Sequence, residues 1–257
     1  MTANRKDRII VAANIERLAS ESADLFRRIA IESVTRSGRF SVALSGGSNP
    51  RPFHRLLADE PYRSGIPWAQ THIFWVDERL VPADDPASNF GTARNDFLAR
   101  LPIQRSHVHP MCSDKPPPRA ADDYQRTLGT HFGVDAAGAP VFDLVVLGIG
   151  IDGHTASIFP GDRTAVETDR WVVAVTGGSP NVARLTLTLP VLERARYVIF
   201  LVSGRQKAAT VHTIITGDTS LPPRQIAPAG GMVTWLLDRD AAYLLPAGLD
   251  GVGPAIV

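Results

Sequence analysis

Apolar positions along the chain alternate between two spacings, one that suits helices and one that suits strands. Over Ile15–Ser37, Ile15, Leu18, Leu25, Phe26 and Ile29 recur at the interval of one helix face, and Gly38 is placed to end that helix. Phe40–Leu44 is a short apolar run read as a strand, and it breaks into the turn Ser45-Gly46-Gly47-Ser48-Asn49-Pro50. A helix through Phe53, Leu56 and Leu57 is expected next, with Asn49 able to cap it and Pro50 in its first turn. Residues 71–76 predict a strand, 89–98 a helix and 124–131 a helix. The run Lys115-Pro116-Pro117-Pro118-Arg119 reads as an irregular, exposed connector.

The most informative stretch is 142–157. Phe142-Asp143-Leu144-Val145-Val146-Leu147 has the apolar density of a buried strand, and it runs into Gly148-Ile149-Gly150-Ile151-Asp152-Gly153-His154. Further on, residues 171–175 predict a strand and 184–190 alternate strictly, as a half-buried strand does. Tyr197–Val202 is another strand, residues 205–215 a helix, and 232–237 and 241–245 close the chain. Strands that alternate with helices imply an α/β fold, a mostly parallel sheet covered by helices on both faces. No internal repeat or boundary breaks the sequence, so residues 1–257 read as a single domain with its core at about 10–245.

Several clusters carry chemistry. Gly148-x-Gly150-x-x-Gly153 fits a dinucleotide fingerprint, but the next strand ends in Thr176-Gly177-Gly178, where a ribose-binding carboxylate is required. A nicotinamide cofactor is therefore not expected. His154 instead stands at a strand's carboxyl end, where open α/β sheets bind ligands, and offers a titratable acid or base. Asp152 could orient that imidazole or shape the turn. Ser45, Gly46, Gly47 and Ser48 form a glycine turn whose N–H groups suit a phosphate, without the lysine of a nucleotide-triphosphate loop. Asp77-Glu78-Arg79 follows a strand and heads a long polar loop that reaches Ser88 and Asn89. Arg184 and Lys207 could each neutralise a phosphate.

The other histidines read as bystanders. His107 and His109 sit in a loop without an acidic or cysteine partner at metal-ligand spacing, and His54, His72, His131 and His212 fall inside predicted elements as packing or surface residues. Cys112, the sole cysteine, reads as a loop thiol and suits a reducing compartment. A net charge of +1 gives no electrostatic case for nucleic acid or a membrane surface, and no apolar run has the length of a membrane span. A soluble, cytoplasmic protein is expected.

In this order Ser45-Gly46-Gly47-Ser48, Asp77-Glu78-Arg79, Ser88-Asn89-Phe90, the block from Gly148 through Asp152-Gly153-His154-Thr155-Ala156-Ser157 to Pro160, Arg184-Leu185-Thr186 and Lys207 resemble the 6-phosphogluconolactonases. The resemblance implies a Rossmann-like fold shared with sugar-phosphate isomerases and deaminases. It implies hydrolysis of 6-phospho-D-glucono-1,5-lactone to 6-phosphogluconate without metal or cofactor, the second step of the oxidative pentose phosphate pathway. Under it, His154 and Asp152 are the catalytic candidates. Ser45, Gly46, Gly47, Ser48, Asp77, Arg79, Asn89, Gly150, Arg184 and Lys207 are the substrate-binding candidates. Functional coupling to glucose-6-phosphate dehydrogenase follows from the same resemblance, while monomer and small homo-oligomer both stay open. Glucosamine-6-phosphate deaminases share the glycine loop and the Asp-Gly-His core, but keep a glutamate where this chain has Phe159. A sugar-phosphate sensor domain is the non-enzymatic alternative, and its usual helix-turn-helix segment has no room here.

Overall fold

The computed structural model describes residues 7–111, 114–135, 138–167, 169–217, 220–228, 230–247, 249 and 252–253. Cys112 lies outside the described residues. The chain opens on β1 (Arg8–Ala12), too short beside a charged terminus to stand out in the sequence, and continues into α1 (Ile15–Ser37). The side chain of Asn14 accepts from the Arg17 N–H at the start of α1, and Gly38 closes it at φ 74°. Then come β2 (Phe40–Leu44), α2 (Arg51–Leu57), the single turn α3 (Tyr62–Gly65), β3 (Thr71–Trp75) and β4 (Asp77–Arg79). They are followed by α4 (Asn89–Asp96), β5 (Val108–His109), α5 (Pro117–Phe132), β6 (Leu144–Leu147), β7 (Val172–Gly177) and β8 (Val182–Leu187). The single turn α6 (Leu189–Leu192), β9 (Tyr197–Val202), α7 (Ala208–Thr216), the single turn α8 (Pro222–Gln225), β10 (Met232–Asp238) and β11 (Val252–Gly253) complete the order.

Eight strands form one parallel sheet in the order β11-β1-β10-β9-β6-β2-β3-β5. Its central strands are buried along their whole length, which is why they read as continuous apolar runs. Around them Phe26 meets Phe40 edge-on at 5.3 Å, and Phe200 stacks on Trp235 at 4.2 Å. From the neighbours β2 and β6 the chain departs in opposite directions, to β3 on one side and β9 on the other. Loops diverge at such a switch point and leave a crevice at the carboxyl ends.

Several expectations need correction. Asp77-Glu78-Arg79 does not itself open the polar loop but forms the strand β4, the edge of a second, antiparallel sheet β4-β8-β7. Strand β8 is not half-buried: Arg184, Leu185, Thr186 and Leu187 are all buried, because its polar positions face other polar groups rather than water. Pro117, Pro118 and Arg119 begin α5 instead of preceding it, since proline's fixed φ and missing N–H suit a first helical turn. Asn49 does not cap α2, whose N-cap is Pro50, and Ser88 caps α4 by accepting from the Gly91 N–H. Residues 205–207 are a 3-10 turn ahead of α7, and 241–245 form turns. His109 belongs to β5 rather than to a loop, and it converges with His72 and His131 beside the first residues of β2 and β3.

His54 is fully buried, its ring 4.8 Å from that of Phe97 and its Nε2 without a hydrogen-bond partner among the described residues. Burial pushes its pKa down from 6.5 to about 4. A folded-state pKa below the unfolded one stabilises the fold above pH 6.5, and this contribution is lost as pH falls towards 4. Thermal melts across that window are expected to show a falling Tm in the wild type and a smaller fall in His54→Phe. Equal slopes would remove His54 from the account.

Candidate functional site

The parallel register sets Leu44 beside Trp75 and Val146, so the loops after β2, β3 and β6 leave the sheet at one edge. There they enclose a cavity of about 200 Å³. Ser45, Gly46, Gly47 and Ser48 line it together with Asp77, Arg79, Asn89, Gly150, His154, Arg184 and Lys207. Asp152 does not line the cavity but holds a residue that does. Asn49, Pro50, Gly148, Ile149 and Ala156 also line it.

The loop after β6 is folded around its own dyad. The Gly150 N–H donates to the His154 carbonyl at 2.7 Å and the Gly153 N–H to the Gly150 carbonyl at 3.2 Å. Asp152 Oδ1 lies 2.6 Å from His154 Nδ1 and accepts from the His154 N–H at 3.2 Å. Asp152 therefore both orients the imidazole and shapes the turn. Burial pushes its carboxyl up, but the charge and hydrogen bonds of His154 outweigh this and hold it below the ordinary carboxylate range. Lys207 Nζ and Thr210 Oγ1 donate to the carbonyls of Ile149 and Ile151, tying the loop to the chain around α7. No helix opens at Gly148–Gly153, where turns lead to a short bridge between Thr155 and Ile158. The fingerprint thus lacks the helix N-terminus that would receive a pyrophosphate.

The same pocket holds cations fixed by backbone carbonyls and by Asn89. Arg79 Nη1 donates to the Ala87 carbonyl and to Asn89 Oδ1 at 2.6 and 2.9 Å. Its Nε is buried without a partner among the described residues, as is Ser45 Oγ. Arg184 donates from Nε to the Gly177 carbonyl and from Nη2 to that of Pro180, and its Nη1 stands 4.0 Å from Asp77 Oδ2. Burial, then the facing Arg79 charge, lowers the Arg184 pKa, and burial lowers that of Lys207. Crowded, partly desolvated cations of this kind are relieved by an incoming anion. The Ser45 N–H is spent on Val146, while those of Gly46, Gly47 and Ser48 make no hydrogen bond among the described residues. Gly46 must be glycine for a local reason: a Cβ there would lie 1.8 Å from Asn89 Oδ1.

Residues 13–235 match the family of glucosamine-6-phosphate isomerases/6-phosphogluconolactonase. The chain is 38% identical over 214 residues to a 6-phosphogluconolactonase of Synechocystis, covering 82% of this chain and 86% of that one. The chain belongs to this family. Its fold superposes on the 6-phosphogluconolactonase of Trypanosoma brucei with a TM-score of 0.83 at 32% identity, over 95% of this chain and 100% of that one. A monomeric glucosamine-6-phosphate deaminase of the NagB superfamily shares the fold, with a TM-score of 0.77 at 19% identity over 92% and 99% of the two chains. No described helix is long and apolar enough to cross a membrane.

Two residues that organise this family member's site escaped the sequence reading. Glu78 is buried and accepts from the N–H groups of Arg79, Asn89 and Phe90 and from Ser88 Oγ, so one carboxylate folds the whole 78–90 loop. Burial pushes its pKa up, against those donors. Ser157, also buried, donates from Oγ to Asp77 Oδ2 at 2.6 Å and joins the β6 loop to β4. Both lay inside quoted motifs, and the only signal was a charged or hydroxyl residue next to apolar strands.

Proposed function

We propose that the chain hydrolyses 6-phospho-D-glucono-1,5-lactone to 6-phosphogluconate, the second step of the oxidative pentose phosphate pathway, with His154 as general base. One arrangement carries the reading: the Asp152–His154 pair faces a pocket edged by Arg79, Arg184 and Lys207, with the Phe159 ring 5.0 Å from the imidazole. With Nδ1–H given to Asp152, Nε2 keeps the free lone pair that takes a proton from water. That water attacks the lactone carbonyl, and the same imidazole returns the proton to the departing ring oxygen. The Gly46–Ser48 amides with Arg79, Arg184 and Lys207 hold the phosphate, and its binding energy aims the carbonyl at His154.

Phe159 supports hydrolysis over deamination. An aromatic ring against the imidazole carries no proton, where the deaminases resembled by this chain keep a glutamate. Turnover should fall steeply for glucono-1,5-lactone, which lacks the phosphate, and no ammonia should leave glucosamine 6-phosphate. Ammonia release at a comparable rate would transfer the reading to the deaminases.

Arg184→Ala is expected to raise KM by roughly 10²-fold, the scale of a lost charge-assisted contact, with a smaller change in kcat. Steady-state kinetics separate the two. A pure kcat defect would move Arg184 from the phosphate to the oxyanion.

A further inference from the structure

Beside the first residues of β2 and β3, and outside the lining of the crevice, three histidines meet. His72 is the second residue of β3, paired in register with Ser41 of β2, while His109 ends β5 and His131 lies in the last turn of α5. One ring nitrogen from each lies within 4.8 Å of the others, and His72 Nδ1 stands 3.3 Å from His109 Nε2. No carboxylate hydrogen-bonds any of these rings among the described residues. The rings are half-buried and held from outside the set. Phe74 stacks on His109 at 4.2 Å and 9°, Phe132 meets His131 edge-on, and Ser41 Oγ lies 2.8 Å from His131 Nε2. His107 covers His72 with ring centroids 4.0 Å apart, and its Nδ1 is buried without a hydrogen-bond partner among the described residues.

We infer that His72, His109 and His131 form a binding site for a divalent transition-metal ion of the zinc class. Imidazole nitrogens bound tetrahedrally at about 2.0–2.1 Å from zinc lie roughly 3.4 Å apart. The His72–His109 pair already has that spacing, and a modest side-chain rotation brings in the third. An all-imidazole set without carboxylate or thiolate suits zinc, copper or nickel and discriminates against calcium and magnesium. Three protein ligands leave a fourth position, and His107 and water are the groups at hand for it. Ser41 and Phe74 act as outer contacts that keep the rings aimed. Against the site stands Arg39, whose guanidinium donates to the His131 carbonyl and lies 6.0 Å from the Phe132 ring. Its charge opposes a bound cation.

The test is titration of the untagged, metal-free chain with Co²⁺, followed by its d–d absorption, and with Zn²⁺ by calorimetry. One equivalent is expected to bind the wild type and His154→Ala alike, since the crevice is a different place. His109→Ala and His131→Gln should each weaken binding by at least roughly 10²-fold and lose the Zn²⁺-dependent rise in Tm, while Arg39→Gln should tighten binding. Circular dichroism certifies the folding of each variant, and the two ligand variants serve as each other's check. Absence of stoichiometric binding, binding unchanged in both ligand variants, or binding lost in His154→Ala would each overturn the site.

Discussion

His154→Ala is expected to lower kcat by roughly 10²- to 10⁴-fold, the range that a positioned general base contributes, while 6-phosphogluconate still binds. The separation follows from the architecture. His154 is presented by a loop that closes on itself through Gly150, whereas Arg184 is fixed by Gly177 and Pro180 and Arg79 by Ala87 and Asn89. Removing the imidazole leaves these two cations in place. Calorimetry of product binding beside turnover checks both halves. Full turnover in the variant would give the base role to another group, and joint loss of turnover and product binding would make His154 a binding residue.

Gly150→Ala is expected to approach the same defect from the backbone. A Cβ at this position would lie 2.2 Å from Asp152 Oδ1 and 2.2 Å from His154 Nδ1, the two atoms that make the 2.6 Å contact of the dyad. Real Cβ atoms do not approach so closely, so something has to move. Both obstructing atoms belong to side chains, which makes rotation of the pair easier than displacement of the loop. Turnover should fall by roughly 10²-fold or more, the scale of a misplaced catalytic group, with Tm changed by only a few degrees. Kinetics and a thermal melt on one preparation decide it. Normal turnover would mean that the reaction does not need the Asp152–His154 contact.

The sequence disclosed most where burial and spacing act together. The ends of α1, β2 and β9 were legible because each is a run of one period closed by a cap or a turn. The glycine loops were legible because few other reasons place Ser-Gly-Gly-Ser and Asp-Gly-His straight after buried strands. Strand β4 was not, since Asp77-Glu78-Arg79 lacks any apolar residue, and only its pairing with β8 makes it a strand. The role of Glu78 depends on donors at residues 88–90 folding back over it, a long-range event without periodicity. His72 and His109 stand 37 positions apart, and nothing in their local patterns announces that parallel strands bring them together. The fold was thus readable from its interior, and the site from its turns. What the sequence concealed were the polar contacts between segments.

The claim at the centre is that this chain opens a phosphorylated sugar lactone with His154. It is tested most directly by forming 6-phospho-D-glucono-1,5-lactone in situ from glucose 6-phosphate and following its decay. Decay should be accelerated far above the spontaneous rate by the wild-type chain, and little or not at all by an equal amount of His154→Ala. Decay at the spontaneous rate with the wild type, or equal acceleration by both proteins, would contradict the account.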